Sequence, residues 1–523
     1  MKKGNFLKPI YTFDTETDPF SYGRIPRVFS CGIFDGEKFH YEWGNGCMER
    51  MREFIASLPA GIVYVHNGGR FDFYYMLNWF DGKMIIVNSR IIKAFGCGHE
   101  WRDSAAIYPM PLKSFKKDDI DYQLLEAETR EKHKTEIIEY LKGDCVYLHE
   151  LCTRFLSEFG DNLTIGSTSM KRLRKLHKFD ELSSTDDAAI RSRFYYGGRV
   201  QCFEKGMLTA TKGERFYCYD INQSYPCSMR NYLHPIGNPM FGGNVLRNET
   251  FFVSTYGYSY GAFPVRNNDG DLCFPIGEGI FNVTIHEYNA AIDTQQFRPY
   301  RIVETIDFEK SGSFVEFVDE YHGLRKKAQL DGDKLLSDFY KLVTNSAYGK
   351  FAQCPDNYLE YIIKPVGVTV SGYNEEYFCG DVVLWSKPSE DVTRYNVATG
   401  ASITGASRAM LIRALATSKR PLYCDTDSII CEGLGDDTEY DDHKLGAWKT
   451  EKMGDTFALA GRKLYALFDG DTCVKMACKG VRLTPSEIVT VASGGKVIWK
   501  KDAPTFSLSR GIKFIHRNIE MIP

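Results

Sequence analysis

The hexapeptide Tyr423-Cys424-Asp425-Thr426-Asp427-Ser428 constrains this chain more than any other stretch. Leu422 to Cys424 and Ser428 to Cys431 read as two short apolar strands, with Asp425-Thr426-Asp427 as the tight hairpin tip between them. Two carboxylates two residues apart beside buried strands repel, which raises the cost of ionising both. Packing offers nothing to offset that cost. A divalent cation does, because Mg²⁺ prefers hard carboxylate oxygens together with substrate phosphates. A bare Asp-x-Asp is more often an ordinary acidic turn, so its meaning depends on the rest of the chain.

The 523 residues leave room for about two to four domains. With 43% hydrophobic and 25% charged residues, the composition is globular rather than disordered. A net charge of −3 neither announces nor excludes a nucleic-acid binder, since local basic stripes make phosphate contacts. Candidate stripes are Lys171-Arg172-Leu173-Arg174-Lys175, Arg325-Lys326-Lys327 and the run around Arg510, Lys513 and Arg517. Taken singly, each is more simply a solvated helix face. The 15 cysteines include no CxxC pair, which argues against a zinc site or a disulfide framework and fits a reducing cytoplasm. With neither a signal peptide nor a membrane-length apolar run, the expectation is a soluble protein that does not engage membranes.

A second set of carboxylates lies near the start. Ile10 to Thr17 reads as a strand, and its Asp14 and Glu16 project from one face. The strand Ile62 to Val65 runs into His66-Asn67-Gly68-Gly69-Arg70-Phe71-Asp72, where glycines permit close backbone approach. Phe71, Phe73, Tyr74 and Tyr75 surround Asp72, as core or as a platform for stacking unpaired bases, with core expected for at least two. On a helix over 135–151, Tyr140 and Asp144 are neighbours. Four carboxylates and a phenol suit a two-metal nuclease.

Asp-x-Glu, Asn-…-Phe-Asp and Tyr-x-x-x-Asp resemble the three segments of the 3′–5′ proofreading exonuclease of family B DNA polymerases. The resemblance implies that Asp14, Glu16, Asp72 and Asp144 hold metals directly or through water and that Tyr140 orients the attacking water. It also implies that Asn67 and Phe71 contact single-stranded DNA and that Lys117 is an auxiliary catalytic lysine. Asn67 and Asp72 stand one residue further apart than is usual in the family.

Later segments match the family's polymerase motifs in its order. Tyr195-Tyr196-Gly197-Gly198 is similar to the Tyr-x-Gly-Gly link, which implies DNA contacts by Tyr195, Gly197 and Gly198. Phe216 to Pro226 resembles the first motif, with Asp220 in place, Ile221 beside it in the metal-binding set, Tyr225 as the gate against ribose, and Gln223-Ser224 in place of Ser-Leu. The clearest helix covers 333–348 with Leu335, Leu336, Phe339, Leu342 and Val343 as its apolar stripe, and Gly349-Lys350 is expected to end it. Lys341 to Lys350 matches Lys-x-x-x-Asn-Ser-x-Tyr-Gly-Lys, implying that Lys341 grips the triphosphate and that Asn345 and Tyr348 line the new base pair. Arg325 or Lys327 is expected to supply a second phosphate contact. Thr404 to Arg408 resembles a template-contact segment, and Lys463-Leu464-Tyr465 resembles the Lys-x-Tyr motif at the primer end. The opening hairpin completes the set, with Asp220 and Asp427 as ligands and Asp425 as ligand or close support.

The expected fold is α+β and multidomain. A ribonuclease H-like exonuclease (1–165) precedes a right-hand polymerase (166–523): palm about 186–230 and 396–480, first insertion about 231–322, fingers about 323–353, second insertion about 354–395 and a short thumb about 484–523. The two insertions resemble those of protein-primed bacteriophage polymerases, in which one docks a terminal protein and the other closes around DNA. Expected partners are primer-template DNA, single-stranded DNA, dNTPs and a terminal protein, and the expected form is a monomer in the host cytoplasm. Each active site is expected to take two Mg²⁺ ions, and Mn²⁺ uses the same ligands. Alternatives are a polymerase that starts without a terminal protein and a non-catalytic DNA-binding scaffold.

Overall fold

A computed structural model of the chain describes residues 8–20, 24–354, 358–389, 393, 395–509 and 511–522. Arg510, in the terminal basic run, lies outside the described residues.

The N-terminal layer is built on the strand Ile10–Thr17, which pairs parallel with Ile62–Val65 and antiparallel with Val28–Phe34. Both of its faces are covered. Thr12 donates to the Cys145 carbonyl of the helix Lys134–Phe159 at 2.7 Å, whereas Phe13 packs with Met51 and Ile55 of the helix Cys47–Ser57. Alternation along the strand therefore points Thr12, Asp14 and Glu16 towards Lys134–Phe159. That helix runs further at its C-terminal end than the expected 135–151, because Leu151, Cys152, Phe155 and Leu156 continue its buried stripe.

The sheet does not stop at the N-terminal region. Its ten strands run Asn374–Cys379, Val382–Pro388, Leu359–Pro365, Gly82–Val87, Arg90–Gly96, His99–Asp103, Ile62–Val65, Ile10–Thr17, Val28–Phe34 and Phe39–Trp43. Residues of the second insertion thus add three strands to the edge at Gly82–Val87, pairing Ile363 with Gly82 and Tyr361 with Met84. Ile363, Val382 and Leu384 share a core with Phe13 and Trp101. The hairpin in this region turns at Gly380-Asp381, between Asn374–Cys379 and Val382–Pro388.

A five-stranded sheet in the order Trp448–Gly454, Phe216–Ile221, Ser428–Cys431, Tyr423–Asp425, Val200–Cys202 carries the central hairpin. Behind it the long helix Val397–Thr417 is buried on nearly every side. Helices Val315–Leu330 and Lys334–Phe351 pack together and against Leu148, Leu151 and Phe155 of the N-terminal region in one apolar core. The expected boundary at 322/323 falls inside the first of these helices. Gly349 does not end the second, which continues to Phe351 because Ala347 and Phe351 are still buried in that core. Residues 239–308 form a four-stranded sheet with the helix Ile285–Asp293 packed on Ala409 and Ile412 of the long helix. At the C-terminus, the hairpin Val497–Ser507 and Gly511–Met521 brings Phe506 back against Phe71, with ring centroids 4.9 Å apart.

Candidate active sites

The fold gathers the first carboxylate set. Asp14 and Glu16 come from one strand face, Asp144 and Tyr140 from the facing helix, and Asp72 from a turn of 3₁₀ helix after Gly68-Gly69. Gly69 makes that turn possible, because a Cβ there would sit 2.0 Å from the Ile91 carbonyl oxygen. Thr15, overlooked in the sequence because it sits between the acids, donates its hydroxyl to Asp72.

Burial and then the neighbouring acids Asp72, Asp144 and Glu16 push the Asp14 carboxyl well above the usual range. Burial, then Asp144, pushes Glu16 up to about 8, and burial pushes Asp72 up to about 7. Asp144 is raised by burial against the pull of Lys117, whose Nζ stands 3.0 Å from Asp144 Oδ2 and 5.1 Å from the Tyr140 ring centre. Asp144 Oδ1 is buried without a hydrogen-bond partner. In this arrangement no three His, Cys, Asp or Glu side chains among the described residues close into a cation cage. The donor chemistry nonetheless fits divalent cations: hard oxygens, mutual repulsion in a buried place and an orphaned carboxylate oxygen.

The second set sits at the central hairpin. Asp220 is opposite Ser428 across the sheet, and the two-residue turn Thr426-Asp427 presents Asp427 beside it, with Thr426 at a left-handed φ of 62°. Ile221 N–H donates to the Asp427 carbonyl at 2.8 Å, and its side chain is buried, so only its own carbonyl could serve a cation. Burial and then Asp220 push Asp427 up to about 7. Burial also raises Asp220, opposed by Lys449, whose Nζ lies 3.3 Å from Asp220 Oδ1. Asp425, next to this turn, pairs with Lys463 at 2.7 Å.

Beside these acids opens a cleft of about 870 Å³, lined among others by Arg325, Lys326, Lys341 and Asn345. Asn345 Oδ1 and Arg325 Nε are buried there without partners. At its margin Tyr225 stacks on Tyr348, with centroids 3.9 Å apart and planes 23° apart. Cations on one wall and carboxylates on the other suit a polyphosphate that meets a metal-bound reaction centre.

A family model described as DNA polymerase type B, organellar and viral, matches residues 97–433. The chain is 43% identical to the DNA-directed DNA polymerase of Enterobacteria phage PRD1, over 98% of both chains. This chain belongs to the organellar and viral type B DNA polymerases. It is also 25% identical to the DNA polymerase of Bacillus phage phi29, over 81% of each chain. Its fold is that of solved phi29 DNA polymerase, with a TM-score of 0.74 at 18% identity over 98% of this chain and 100% of the other. The phi29 complex with primer-template DNA and incoming nucleotide substrates superposes with a TM-score of 0.73 at 20% identity, over 98% of this chain and 100% of the other. The chain is a DNA-directed DNA polymerase of phage type, and DNA polymerases generally use divalent metals.

Several expected contacts of this polymerase are corrected by its structure. Arg408 is not on a DNA surface. It is 1% exposed, forms a two-pronged pair with Glu287 at 2.7 and 3.0 Å, and donates to the carbonyls of Tyr196 and Gly197. Lys327 points away from the cleft, since the helix turns Arg325 and Lys326 into it instead. Tyr465 is buried against Tyr423 and Phe457, where it backs the Lys463 loop and presents no ring to DNA. The Gly-Gly link packs against the central hairpin. A Cβ on Gly198 would lie 2.5 Å from Thr426 Oγ1, and Thr426 N–H donates to the Arg199 carbonyl at 2.7 Å, so the link props the catalytic turn. Tyr195, half-buried, holds Arg266 through its carbonyl at 2.7 Å.

At the first carboxylate set, Asn67 is exposed with a left-handed φ of 60°. Phe73 and Tyr74 are core, while Phe71 and Tyr75 are half-buried beside Phe506. Phe506, Lys449 and Glu451 also escaped the sequence reading. Lys449 and Glu451 lie in a strand with ordinary alternation, and Phe506 is hundreds of residues from its partners.

Proposed function

We propose that this DNA polymerase adds nucleotides at the Asp220–Asp427 site, proofreads 3′ ends at the Asp14–Glu16–Asp72–Asp144 site, and starts synthesis from the hydroxyl of a terminal protein. One observation carries the two-site reading: the chain buries two separate sets of acids, each holding its own protonation high, and each with a lysine within ion-pair distance. Two Mg²⁺ ions per site, or Mn²⁺ on the same oxygens, would activate the attacking hydroxyl or water and steady the leaving oxygen.

The chain's own groups do the rest. Asp220, Asp427 and the Ile221 carbonyl hold the cations of one site, and Asp14, Glu16 and Asp144 those of the other, with Asp72 beside them. Lys341, Arg325 and Lys326 offset charge on the triphosphate, so catalysis is positioning plus electrostatics. Tyr225, backed by Tyr348, closes the sugar side of the cleft against a 2′-hydroxyl. Lys117 and Tyr140 orient water at the second site. Lys463 steadies the primer end, and Phe71 and Asn67 meet the frayed strand. The partners we assign are primer-template and single-stranded DNA and dNTPs, for a monomer in the host cytoplasm.

A labelled primer on a longer template tests the two sites. Wild type extends the primer with dNTPs and shortens it without them; Asp427→Asn loses only extension and Asp14→Ala only shortening. Extension by Asp427→Asn would overturn the assignment of the central hairpin. Protein priming needs a gentler probe than excision of 231–322, which would cut the helix Val315–Leu330 and strip Ala409 and Ile412 of their cover. Exposed Arg298 and Arg301, changed together to serine, are expected to weaken initiation on a terminal protein and spare primer extension. Equal loss of both activities would refute a docking role for that sheet.

A further inference from the structure

The strand Trp448–Gly454 runs antiparallel to the Asp220 strand, with Lys449 directly opposite Asp220. That register fixes where the ammonium can go. Nζ stands 3.3 Å from Asp220 Oδ1 and 3.7 Å from Glu451 Oε1. Glu451 is held in turn by Lys475 at 2.7 Å. A row of alternating charge therefore runs Lys475, Glu451, Lys449, Asp220. Lys449 and Glu451 line the same cleft as Lys341 and Arg325, yet nothing in the mechanism above uses them.

A cross-strand ion pair ordinarily adds a little to sheet stability. Here its acid is also the one that has to hold the cations. An ammonium and a divalent cation on one carboxylate repel each other and draw on the same oxygen lone pairs. Glu451 offers the ammonium a second seat. The polyphosphate of an incoming nucleotide, lying in the same cleft, offers a third. The side chain is about one-third exposed, so it can move between them without unpacking the core.

We propose that Lys449 is a positioning residue that occupies Asp220 until nucleotide arrives, so that metal enters with the triphosphate rather than ahead of it. Lys449 then leaves Asp220 for Glu451 and the polyphosphate, where its charge offsets that of the phosphates. The inference rests on Asp220 and Asp427 being the cation site proposed above.

Mn²⁺ binding to the full-length chain, read from the paramagnetic resonance of free Mn²⁺, tests it on an Asp14→Ala background that weakens the other carboxylate site. Without nucleotide, adding Lys449→Met is expected to tighten Mn²⁺ binding about fivefold, the size of a partly exposed ion pair removed. Lys449→Arg keeps the charge and is expected to bind Mn²⁺ like the parent. In primer extension, Lys449→Met is expected to need less Mg²⁺ and more dNTP for half-maximal rate; an unchanged dNTP requirement would overturn the transfer to polyphosphate. Asp220→Asn on the same background separates the two readings. If Asp220→Asn leaves Mn²⁺ binding intact, the cation site is misassigned and the inference falls with it. If Asp220→Asn weakens binding while Lys449→Met binds no tighter, the site stands and Lys449 is merely structural, its loss visible only as a lower melting temperature.

Discussion

Replacing Arg408 by methionine should unfold the centre of this enzyme before it affects DNA affinity. Glu287, 0% exposed, caps the helix Ile285–Asp293 through Thr284 and receives both prongs of the Arg408 guanidinium. The same guanidinium holds the Tyr196 and Gly197 carbonyls, each at 2.7 Å. Removing it strands a buried carboxylate and leaves two main-chain acceptors without their donor, a loss of about 3–5 kcal/mol for a broken buried pair. Urea unfolding followed by tryptophan fluorescence would read that loss. Adding Glu287→Gln, which removes the stranded charge, should restore about half of it, the sign of coupling between partners. DNA affinity measured on folded protein should keep its salt dependence, whereas a lost phosphate contact lowers the slope by about one. Wild-type stability in Arg408→Met together with a shallower salt slope would refute this account and return Arg408 to the DNA.

Two further outcomes follow from the same geometry. Glu16 and Asp72 are raised to about 8 and about 7, so without divalent cations the folded state holds protons that the unfolded state releases. Stability is then fully present below the ordinary carboxylate range and falls as pH rises towards about 8. Melting in EDTA should show this decline and Mg²⁺ should flatten it; identical slopes with and without Mg²⁺ would exclude these acids as its source. Gly198→Ala pushes a methyl group against Thr426, an overpacking strain of about 1–3 kcal/mol delivered to the catalytic turn. Polymerisation should fall about tenfold or more while single-strand degradation is retained, and unchanged extension would show that the turn does not feel the link.

The carboxylates were legible in the sequence because each depends on a local rule: alternation on a strand for Asp14 and Glu16, helical spacing for Tyr140 and Asp144, a hairpin tip for Asp427. The family motifs added their order and pairing. What stayed hidden depends on distant packing. Arg408 looks like a surface cation until Glu287, 121 residues earlier, is brought against it. The choice of Lys326 over Lys327 turns on the rotation of one helix, which its neighbours set. Gly349 carries the residue type that ends helices, but Phe351 beyond it still has a core to enter. Lys449 gains its meaning only from the register that seats it across from Asp220.

The strands Leu359–Pro365 and Gly82–Val87 are stitched by main-chain pairing, backed by Lys364 and Asp81 at 2.7 Å. A segment encoded in the middle of the polymerase region is thereby anchored in the N-terminal sheet. A load applied to this segment therefore passes through backbone hydrogen bonds into the layer that carries Asp14. The enzyme takes such a load as a beam rather than as a hinge. Its stiffness under load can be measured by pulling between the tip at Gly380 and the strand at Phe39.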